Sequence, residues 1–416
     1  MNYLRAILAF GFSFGVVAVS FAASAQVRAA EHNKAATLHN QGLALFQASQ
    51  IDAAIALYRQ ALAINPNLPE ALSNLGFALD KEGKEDEAIA TMQRALSIRP
   101  DAVAQGNLGL ALYHEGKLDQ AIEAFRAALA KDSRMASAWN GLGAALYSQG
   151  KTPEAIEAYQ KGLEIDPHHA ETLNNYGVAL EHQKQYSDAI TAYQQSLAIT
   201  PNAHETWQNL GRAYADSGHD DEAIQAYQKC VNIRPTNGNA WFELGRLYAK
   251  KADFDDAINS LEKSATLNPK QAETFTNLGS AYLQKREFEQ ATESFQKALA
   301  LQGDLTAALY NLGLTQEWKG DLDGAIVSFQ KYVKLEPQDP RGPFELGNSL
   351  FNKGQYALAV DNYRRAVALN PKAAQPHYNL SMALLRTGNE KAAEAEMSAA
   401  RKIDPKVGLS PSSSSQ

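Results

Sequence analysis

Small and large apolar residues recur along this chain at fixed intervals. A glycine returns every 34 residues with one step of 33, and Ser381 completes the series after positions 42, 76, 109, 143, 177, 211, 245, 279, 313 and 347. Alanine follows each position by twelve residues, a large apolar or aromatic residue by sixteen, and proline by twenty-four in nine cases. Such self-similarity predicts a stack of equivalent structural units.

Each unit is predicted to be a pair of antiparallel helices. The Leu-Gly dipeptide lies mid-way along the first helix, where a missing side chain lets a neighbouring helix approach closely despite the low helix propensity of glycine. A second glycine, about seven residues later in most units, supplies a left-handed C-cap. Acidic segments such as 86–89 and 221–224 begin the second helix near the positive end of its dipole. Proline then ends that helix, because it lacks an amide hydrogen.

This pattern resembles the tetratricopeptide repeat family, in which an aromatic residue or Leu, Leu-Gly, Ala, an aromatic residue and Pro follow one another in a 34-residue unit. The segments 139–167 and 207–235 match it almost fully, from Trp139 and Trp207 to Pro167 and Pro235. The resemblance implies an all-α fold, a right-handed superhelical solenoid of antiparallel helix pairs with a binding surface. It covers 35–407 as eleven repeats, at 35–68, 69–101, 102–135, 136–169, 170–203, 204–237, 238–271, 272–305, 306–339, 340–373 and 374–407.

The two ends of the chain differ from the repeats. Residues 1–25 combine Arg5, an uncharged apolar run and Ala23-Ser24-Ala25, a secretory signal pattern that predicts cleavage after Ala25. The alternative is an uncleaved membrane anchor at residues 6–23, because that run just reaches the length of a membrane span. Residues 26–34 are interpreted as a linker, and residues 408–416, with serines at 412–415, as a disordered tail. The protein is therefore expected to be exported, periplasmic or secreted, or alternatively anchored in the membrane.

Charge and cysteine content exclude several classes of function. The chain has 39 Lys and Arg against 46 Asp and Glu, a net charge of −7, whereas a general nucleic-acid binder needs excess positive charge. Cys230 is the only cysteine, so the chain cannot close an internal disulfide. We expect stability to come from packing and expect no nucleic-acid partner.

The motifs of common catalytic and metal sites are missing from the sequence. It contains no P-loop, GxSxG, HExxH or C-x-x-C-H. His168 and His169 adjoin in an inter-repeat turn, where a solvated or capping role is favoured over metal binding. Asp321 to Gly324 resembles part of a calcium loop but lacks the closing Glu. The sequence predicts no catalytic residue, no metal, no cofactor and no enzyme activity.

Asparagine recurs on the predicted inner surface, two places before the periodic glycine. It occupies this position in eight of eleven repeats, at 40, 74, 107, 175, 209, 277, 311 and 379. A row of side-chain amides offers donors and acceptors to the backbone of an extended peptide. The alternative is that each asparagine bonds to the adjacent repeat.

The residue before this asparagine position changes from polar to aromatic along the chain. Together with Leu314, Phe351, Met382 and Leu385, these aromatic residues predict an apolar trough in the C-terminal third. Arg212 and Arg246 occupy equivalent positions in consecutive repeats and are candidates for binding a carboxylate. The alternative is that the arginines pair with acids such as Asp216 and Glu243, and that the aromatics pack between repeats.

These patterns predict a non-enzymatic protein–protein interaction scaffold of the cell envelope, which binds an extended or helical partner segment in its concave groove. The alternative is a scaffold that binds or guides an exported polysaccharide. A membrane contact is expected only through an uncleaved leader. The predicted partner-binding residues are Asn74, Asn107, Asn175, Asn209, Arg212, Phe242, Arg246, Asn277, Tyr310, Asn311, Phe344 and Tyr378.

Overall fold

A computed structural model describes residues 30–408, and over this range the chain forms twenty-two α-helices and no β-strand. The predicted leader at 1–25, its anchor alternative at 6–23, the start of the linker and the tail beyond 408 lie outside the described residues. Residues 30–34, assigned to the linker from the sequence, belong to the first helix. None of the helices within 30–408 combines the length and apolar character required to cross a membrane.

The described chain divides into two compact units, 30–202 and 203–408. The N-terminal unit contains five helix pairs: α1 (30–47) and α2 (Ile51–Ile64), α3 (Pro69–Lys81) and α4 (Glu85–Ile98), α5 (Ala102–His114) and α6 (Leu118–Lys131), α7 (Ala136–Ser148) and α8 (Thr152–Ile165), α9 (Ala170–His182) and α10 (Tyr186–Ile199).

The C-terminal unit contains six pairs: α11 (His204–Asp216) and α12 (Asp220–Ile233), α13 (Gly238–Lys250) and α14 (Phe254–Leu267), α15 (Ala272–Gln284) and α16 (Phe288–Leu301), α17 (Thr306–Trp318) and α18 (Leu322–Leu335), α19 (Arg341–Asn352) and α20 (Tyr356–Leu369), α21 (Ala374–Arg386) and α22 (Glu390–Ile403). Within the two units, the first helices α3 to α9 and α11 to α21 each pack on the second helix of their own repeat, and α3 to α9 and α13 to α21 also pack on the second helix of the preceding repeat. The predicted all-α fold of antiparallel helix pairs is confirmed.

In the eight repeats that carry an aromatic residue sixteen positions after the periodic glycine, the ring packs against the glycine inside the helix pair. A Cβ atom placed on Gly143 would lie 2.6 Å from the ring of Tyr159, and one on Gly347 would lie 2.7 Å from Tyr363. Both tyrosines are only 2% exposed. Because the glycine has no side chain, the aromatic ring of the second helix packs directly on its backbone, and the two helices lie close together.

The first helices end as the sequence predicts. Glycines in the left-handed conformation follow seven of them, with φ between 71° and 83°, at 83, 116, 150, 218, 320, 354 and 388. Four other repeats place Ser49, Lys184, Ala252 and Arg286 in the same conformation, with φ of 60–62°. The turn therefore keeps its geometry where its glycine is replaced, at the steric cost that a side chain brings to this region.

The alanine twelve residues after each periodic position forms the centre of the core. All eleven are at most 1% exposed. The position requires a small residue, because a larger side chain would force the two helices apart. Cys230 belongs to the same layer, where it is fully buried and its Sγ accepts a hydrogen bond from Asn237 Nδ2 at 3.4 Å. Burial raises the pKa of the Cys230 thiol to about 11, so it is a packing residue and not a reactive thiolate.

Two motifs singled out in the sequence act as helix caps. The Nδ1 atom of His169 accepts a hydrogen bond from the Thr172 amide at 3.2 Å and caps α9. Asp321 Oδ1 accepts one from the Gly324 amide at 2.9 Å and caps α18. Among the described residues no group of His, Cys, Asp and Glu is arranged to hold a metal ion.

Candidate protein-binding site

The first helices of successive repeats lie side by side and form one face of each unit. In the N-terminal unit α3 contacts α5, α5 contacts α7 and α7 contacts α9; in the C-terminal unit the same holds for α13 through α21. We call this surface of odd-numbered helices the inner face. All twelve residues predicted to bind a partner lie on these helices.

Asparagines of the N-terminal unit bond between repeats. Asn74 Nδ2 lies 2.8 Å from His39 Nε2 of the preceding repeat, and Asn175 Nδ2 donates to Asn140 Oδ1 at 3.2 Å. Asn107 is half-buried on α5. Two of these three side chains therefore tie adjacent first helices together, which is the packing role considered as the alternative to peptide binding.

Asparagines of the C-terminal unit have more varied partners. Asn209 Oδ1 accepts a hydrogen bond from Arg212 on its own helix at 3.3 Å. Asn277 Nδ2 donates to the carbonyl of Glu273 at 2.9 Å, and Asn311 Nδ2 donates to Ser280 Oγ of the preceding repeat at 3.3 Å. The regular row of asparagines in the sequence thus becomes a set of local contacts that differ from repeat to repeat.

The two candidate arginines have partners on their own helices. Arg246 forms an ion pair with Glu243, with Nη2 2.8 Å from Oε2, while about half of its side chain stays exposed. Arg212 donates to Asn209 as described above. Pairing of Arg246 with Glu243 is the alternative to carboxylate binding that the sequence left open.

Aromatic residues of the predicted trough separate into two groups. Tyr310 packs against Tyr332 of its own repeat, with the ring centroids 5.3 Å apart, and against Arg341 of the next repeat, whose guanidinium lies 5.2 Å from the Tyr310 ring. Phe242 is half-buried on α13. Phe344 and Tyr378, in contrast, both line an open space on the inner face.

That space is a cavity of about 790 Å³ in the C-terminal unit, formed by α17, α19 and α21 with Tyr363 of α20; we call it the C-terminal cavity. Its lining combines apolar residues with carboxylates and amides, and no lysine, arginine or histidine contributes. The apolar part consists of Leu314, Trp318, Phe344, Phe351, Tyr363, Tyr378 and Met382, and the polar part of Glu317, Glu345, Asn348, Asn352, Gln375 and Asn379.

Two carboxylates lie in this partly apolar setting. Glu317 Oε1 accepts a hydrogen bond from Asn352 Nδ2 at 3.1 Å, and Glu345 Oε2 accepts one from Asn348 Nδ2 at 2.9 Å. Burial, reinforced by the charge of Glu345, raises the pKa of Glu317 to about 7. Burial also raises the pKa of Glu345. The cavity therefore holds negative charge at a free-energy cost.

The amides of the cavity are held in one network. Asn348 Oδ1 accepts hydrogen bonds from Tyr363 OH and from Asn379 Nδ2, both at 2.8 Å. Asn379 Oδ1 in turn accepts one from Gln375 Nε2 at 2.9 Å. Because these bonds join α19, α20 and α21, they fix the polar wall of the cavity before any ligand is present.

Comparison with known families identifies the repeat. A tetratricopeptide repeat model matches residues 107–170, 209–272, 242–304, 276–340 and 344–407, which is more than half of the chain. The chain is a member of the tetratricopeptide repeat family. Further models described as TPR repeat or tetratricopeptide repeat match residues 42–83, 69–102 and 169–236. At this level of description it is a protein-interaction scaffold.

Several solved structures are similar to parts of this tetratricopeptide repeat protein. MamA is 30% identical over 41% of this chain and 94% of its own, with a TM-score of 0.39. YrrB, described as a TPR protein with an unusual peptide-binding site, is 24% identical over 45% of this chain and 97% of its own, with a TM-score of 0.42. PilF of Pseudomonas aeruginosa is 24% identical over 48% of this chain and 92% of its own, with a TM-score of 0.45. Because every TM-score is below 0.5, these similarities do not bear on function. No curated protein matches the chain.

In this tetratricopeptide repeat protein, the apolar wall of the cavity was predictable from the sequence and the acidic residues Glu317 and Glu345 were not predicted. Leu314, Phe351 and Met382 line the cavity as expected, whereas Leu385 is 47% exposed outside it. Glu345 stands at a position where eight repeats have asparagine. This departure from the pattern could have indicated that Glu345 has a special role. Glu317 falls at a position that holds aromatic, apolar and acidic residues in other repeats. Because the position varies, nothing in the sequence marked Glu317 as a binding residue.

Proposed function

We propose that this protein is a cell-envelope scaffold that holds an extended or helical segment of a partner protein along its inner face. In this proposal the C-terminal cavity is the main anchoring point. Phe344, Phe351 and Tyr378 surround the incoming side chain, and the amides beside them satisfy polar groups of its backbone. The observation that carries the proposal is an aromatic-lined cavity of about 790 Å³ on the face formed by the first helices.

The volume and chemistry of the cavity support a polypeptide ligand. Sites for small ligands and side chains commonly measure about 300–1,000 Å³ and combine an apolar lining with a few placed polar groups. Aromatic anchors in such pockets supply most of the binding energy in protein interfaces. The inner face of a repeat solenoid is also long enough to contact a partner at several repeats.

The charge of the site disfavours anionic partners. Glu317 and Glu345 line the cavity without a basic residue beside them, so an acidic polysaccharide or a nucleic acid would meet like charge. A neutral polysaccharide stays a distinguishable alternative, because aromatic rings also stack on sugars. We therefore favour a protein partner and use glycan binding as a control outcome.

Filling the cavity is expected to weaken partner binding. Met382→Trp places a larger side chain in the cavity, and the matched control Leu358→Trp adds the same side chain at a position on α20 that is 53% exposed. On an array of peptides from exported proteins, we expect at least roughly tenfold weaker binding by Met382→Trp and unchanged binding by Leu358→Trp.

Equal binding of the array by both variants would contradict the assignment of the cavity. Binding of purified chain to a neutral glycan resin that Met382→Trp abolishes, with no binding to any peptide, would favour the polysaccharide function. Circular dichroism of each variant checks that the helices remain folded.

The envelope location is a proposal that rests on residues 1–25. The positive residue Arg5, the uncharged run after it and the small residues before Gln26 fit signal-peptidase recognition. Fractionation of a bacterial host that produces the full chain is expected to recover it in the periplasm or medium, with an N-terminus at Gln26 by sequencing. Recovery in the cytoplasm with Met1 retained would contradict export, and recovery in the membrane with the leader retained would favour the anchor.

A further inference from the structure

Two carboxylates enter the C-terminal cavity from successive first helices. Glu317 lies near the end of α17 and Glu345 near the start of α19. Glu317 accepts a hydrogen bond from one amide, as does Glu345, which also lies 3.5 Å from Tyr310 OH. A carboxylate has about four lone-pair sites, so both retain acceptor capacity for a ligand in the cavity.

Neither carboxylate has a counter-charge within the described part of the chain. No ion pair there joins Glu317 or Glu345 to a basic residue. The basic residues closest to these helices in sequence pair with other acids: Lys319 with Glu289 at 3.4 Å, Arg341 with Asp339 at 2.6 Å, and Lys353 with Asp323. Residues 409–416 contain no lysine, arginine or histidine, so that segment offers no counter-charge either.

The apolar walls suit the remainder of a basic side chain. Phe344 and Tyr378 line the same cavity, and a cation above an aromatic ring is attracted by the quadrupole of the ring. Lysine and arginine also bury their methylene stems against apolar surface while the charged end reaches polar groups. The cavity thus provides both kinds of contact that one basic side chain makes.

We propose that the C-terminal cavity binds a lysine or arginine side chain in an otherwise apolar segment of a partner protein, with Glu317 and Glu345 as its counter-charges. This inference rests on the proposed function, because it names the chemistry of the segment that the inner face holds. The unpaired carboxylates cost stability in the free protein, and the basic side chain removes that cost on binding. Retaining costly charges at a binding site is a common trade of stability for function.

The test uses the full-length protein and four blocked nine-residue peptides. They share an apolar frame and carry lysine, arginine, norleucine or glutamate at the centre, and fluorescence anisotropy measures their affinities at pH 8. We expect the lysine or arginine peptide to bind at least roughly tenfold more tightly than the norleucine peptide, and the glutamate peptide to bind most weakly.

Glu317→Gln/Glu345→Gln removes both charges while keeping the side-chain volume. The matched control, Glu289→Gln/Glu293→Gln, removes two exposed charges from α16. We expect the preference for a basic peptide to disappear in the first variant and to persist in the control. A preference that persists in the cavity variant, or a norleucine peptide that binds as tightly as the basic ones, would overturn the proposal.

The outcomes separate this inference from the proposed function. If Met382→Trp abolishes peptide binding while Glu317→Gln/Glu345→Gln leaves the preference for a basic peptide intact, the C-terminal cavity is the binding site and the proposed ligand chemistry is wrong. If the wild-type chain binds peptides of the array but none of these four, the proposed ligand chemistry is wrong and the proposed function is kept; if it binds neither set, both are wrong. If sedimentation shows a dimer that the cavity variant dissociates, the occupant is a second copy of the chain and the assignment to a partner protein is overturned.

Discussion

Tyr363→Ala is expected to destabilise the C-terminal repeats by about 3–5 kcal/mol. Tyr363 is 2% exposed and packs directly over Gly347, with its ring centroid 6.1 Å from that of Phe344. Removing the ring leaves a void between α19 and α20, because the glycine has no side chain to fill it. The hydroxyl also donates to Asn348 at 2.8 Å, so the polar wall of the cavity loses a support.

Tyr363→Phe is the matched control, because it keeps the ring and removes only the hydroxyl. We expect it to cost about 1 kcal/mol. Hydrogen–deuterium exchange should show faster exchange in α19–α22 of Tyr363→Ala and unchanged protection in α1–α10, since the stability of a repeat array depends on neighbouring contacts. Equal destabilisation by the two substitutions would show that the hydroxyl and not the ring packing supports these helices.

The fold was predictable because each fixed interval in the repeat corresponds to a local feature of one helix pair, either a contact between its two helices or the turn that joins them. The interval from Gly347 to Tyr363 joins two residues that pack together across one helix pair. The second glycine, such as Gly354, marks a turn with φ of 82°. Ala252 has no such mark, yet it takes the same conformation with φ of 62°. The helices on either side fix that turn, so its geometry follows from the array and not from the residue alone.

The partners of the asparagine row were not predictable from its regular spacing. Asn175 donates a hydrogen bond to Asn140. Asn311 donates one to Ser280 of the preceding repeat, whereas Asn277 donates one to the carbonyl of Glu273 on its own helix. The position is constant, but the side chains around it change from repeat to repeat. A hydrogen-bonding group takes whichever partner lies within reach, so equal positions carry unequal contacts.

The acidic cavity could not be predicted from the sequence because its residues come from three consecutive repeats. Glu317 and Glu345 are 28 residues apart in the chain, and Tyr378 comes from a third repeat. Periodicity predicts the face on which each residue lies but not which side chains leave space between them. The aromatic wall was recognisable because several large side chains repeat, whereas two carboxylates do not form a pattern.

The second large effect is expected at Glu317, where Glu317→Gln should stabilise the C-terminal repeats at pH 8 and not at pH 5. The pKa of Glu317 is raised from 4.5 to about 7 in the folded protein, mainly by burial and then by the charge of Glu345. A raised carboxyl pKa means that stability is fully present below about 4.5 and is lost as pH rises through about 7. Glutamine stays neutral, so the variant avoids this loss. Because Glu317 is partly exposed to solvent, we expect a gain of about 1–2 kcal/mol.

The groups that face Glu317 allow this effect to be isolated. Glu345 lies on α19, Tyr363 on α20 and Tyr378 on α21, and the tyrosines stay protonated in this pH range. Because Glu317 and Glu345 repel each other, the difference between the denaturation midpoints of wild type and variant at each pH reports the loss of the Glu317 charge together with the relief of this repulsion. The control Glu293→Gln replaces an exposed acid whose pKa is lowered by Lys297, and should give no gain at pH 8. A gain of equal size at pH 5 and pH 8 would mean that the substitution improves packing instead of removing a buried charge.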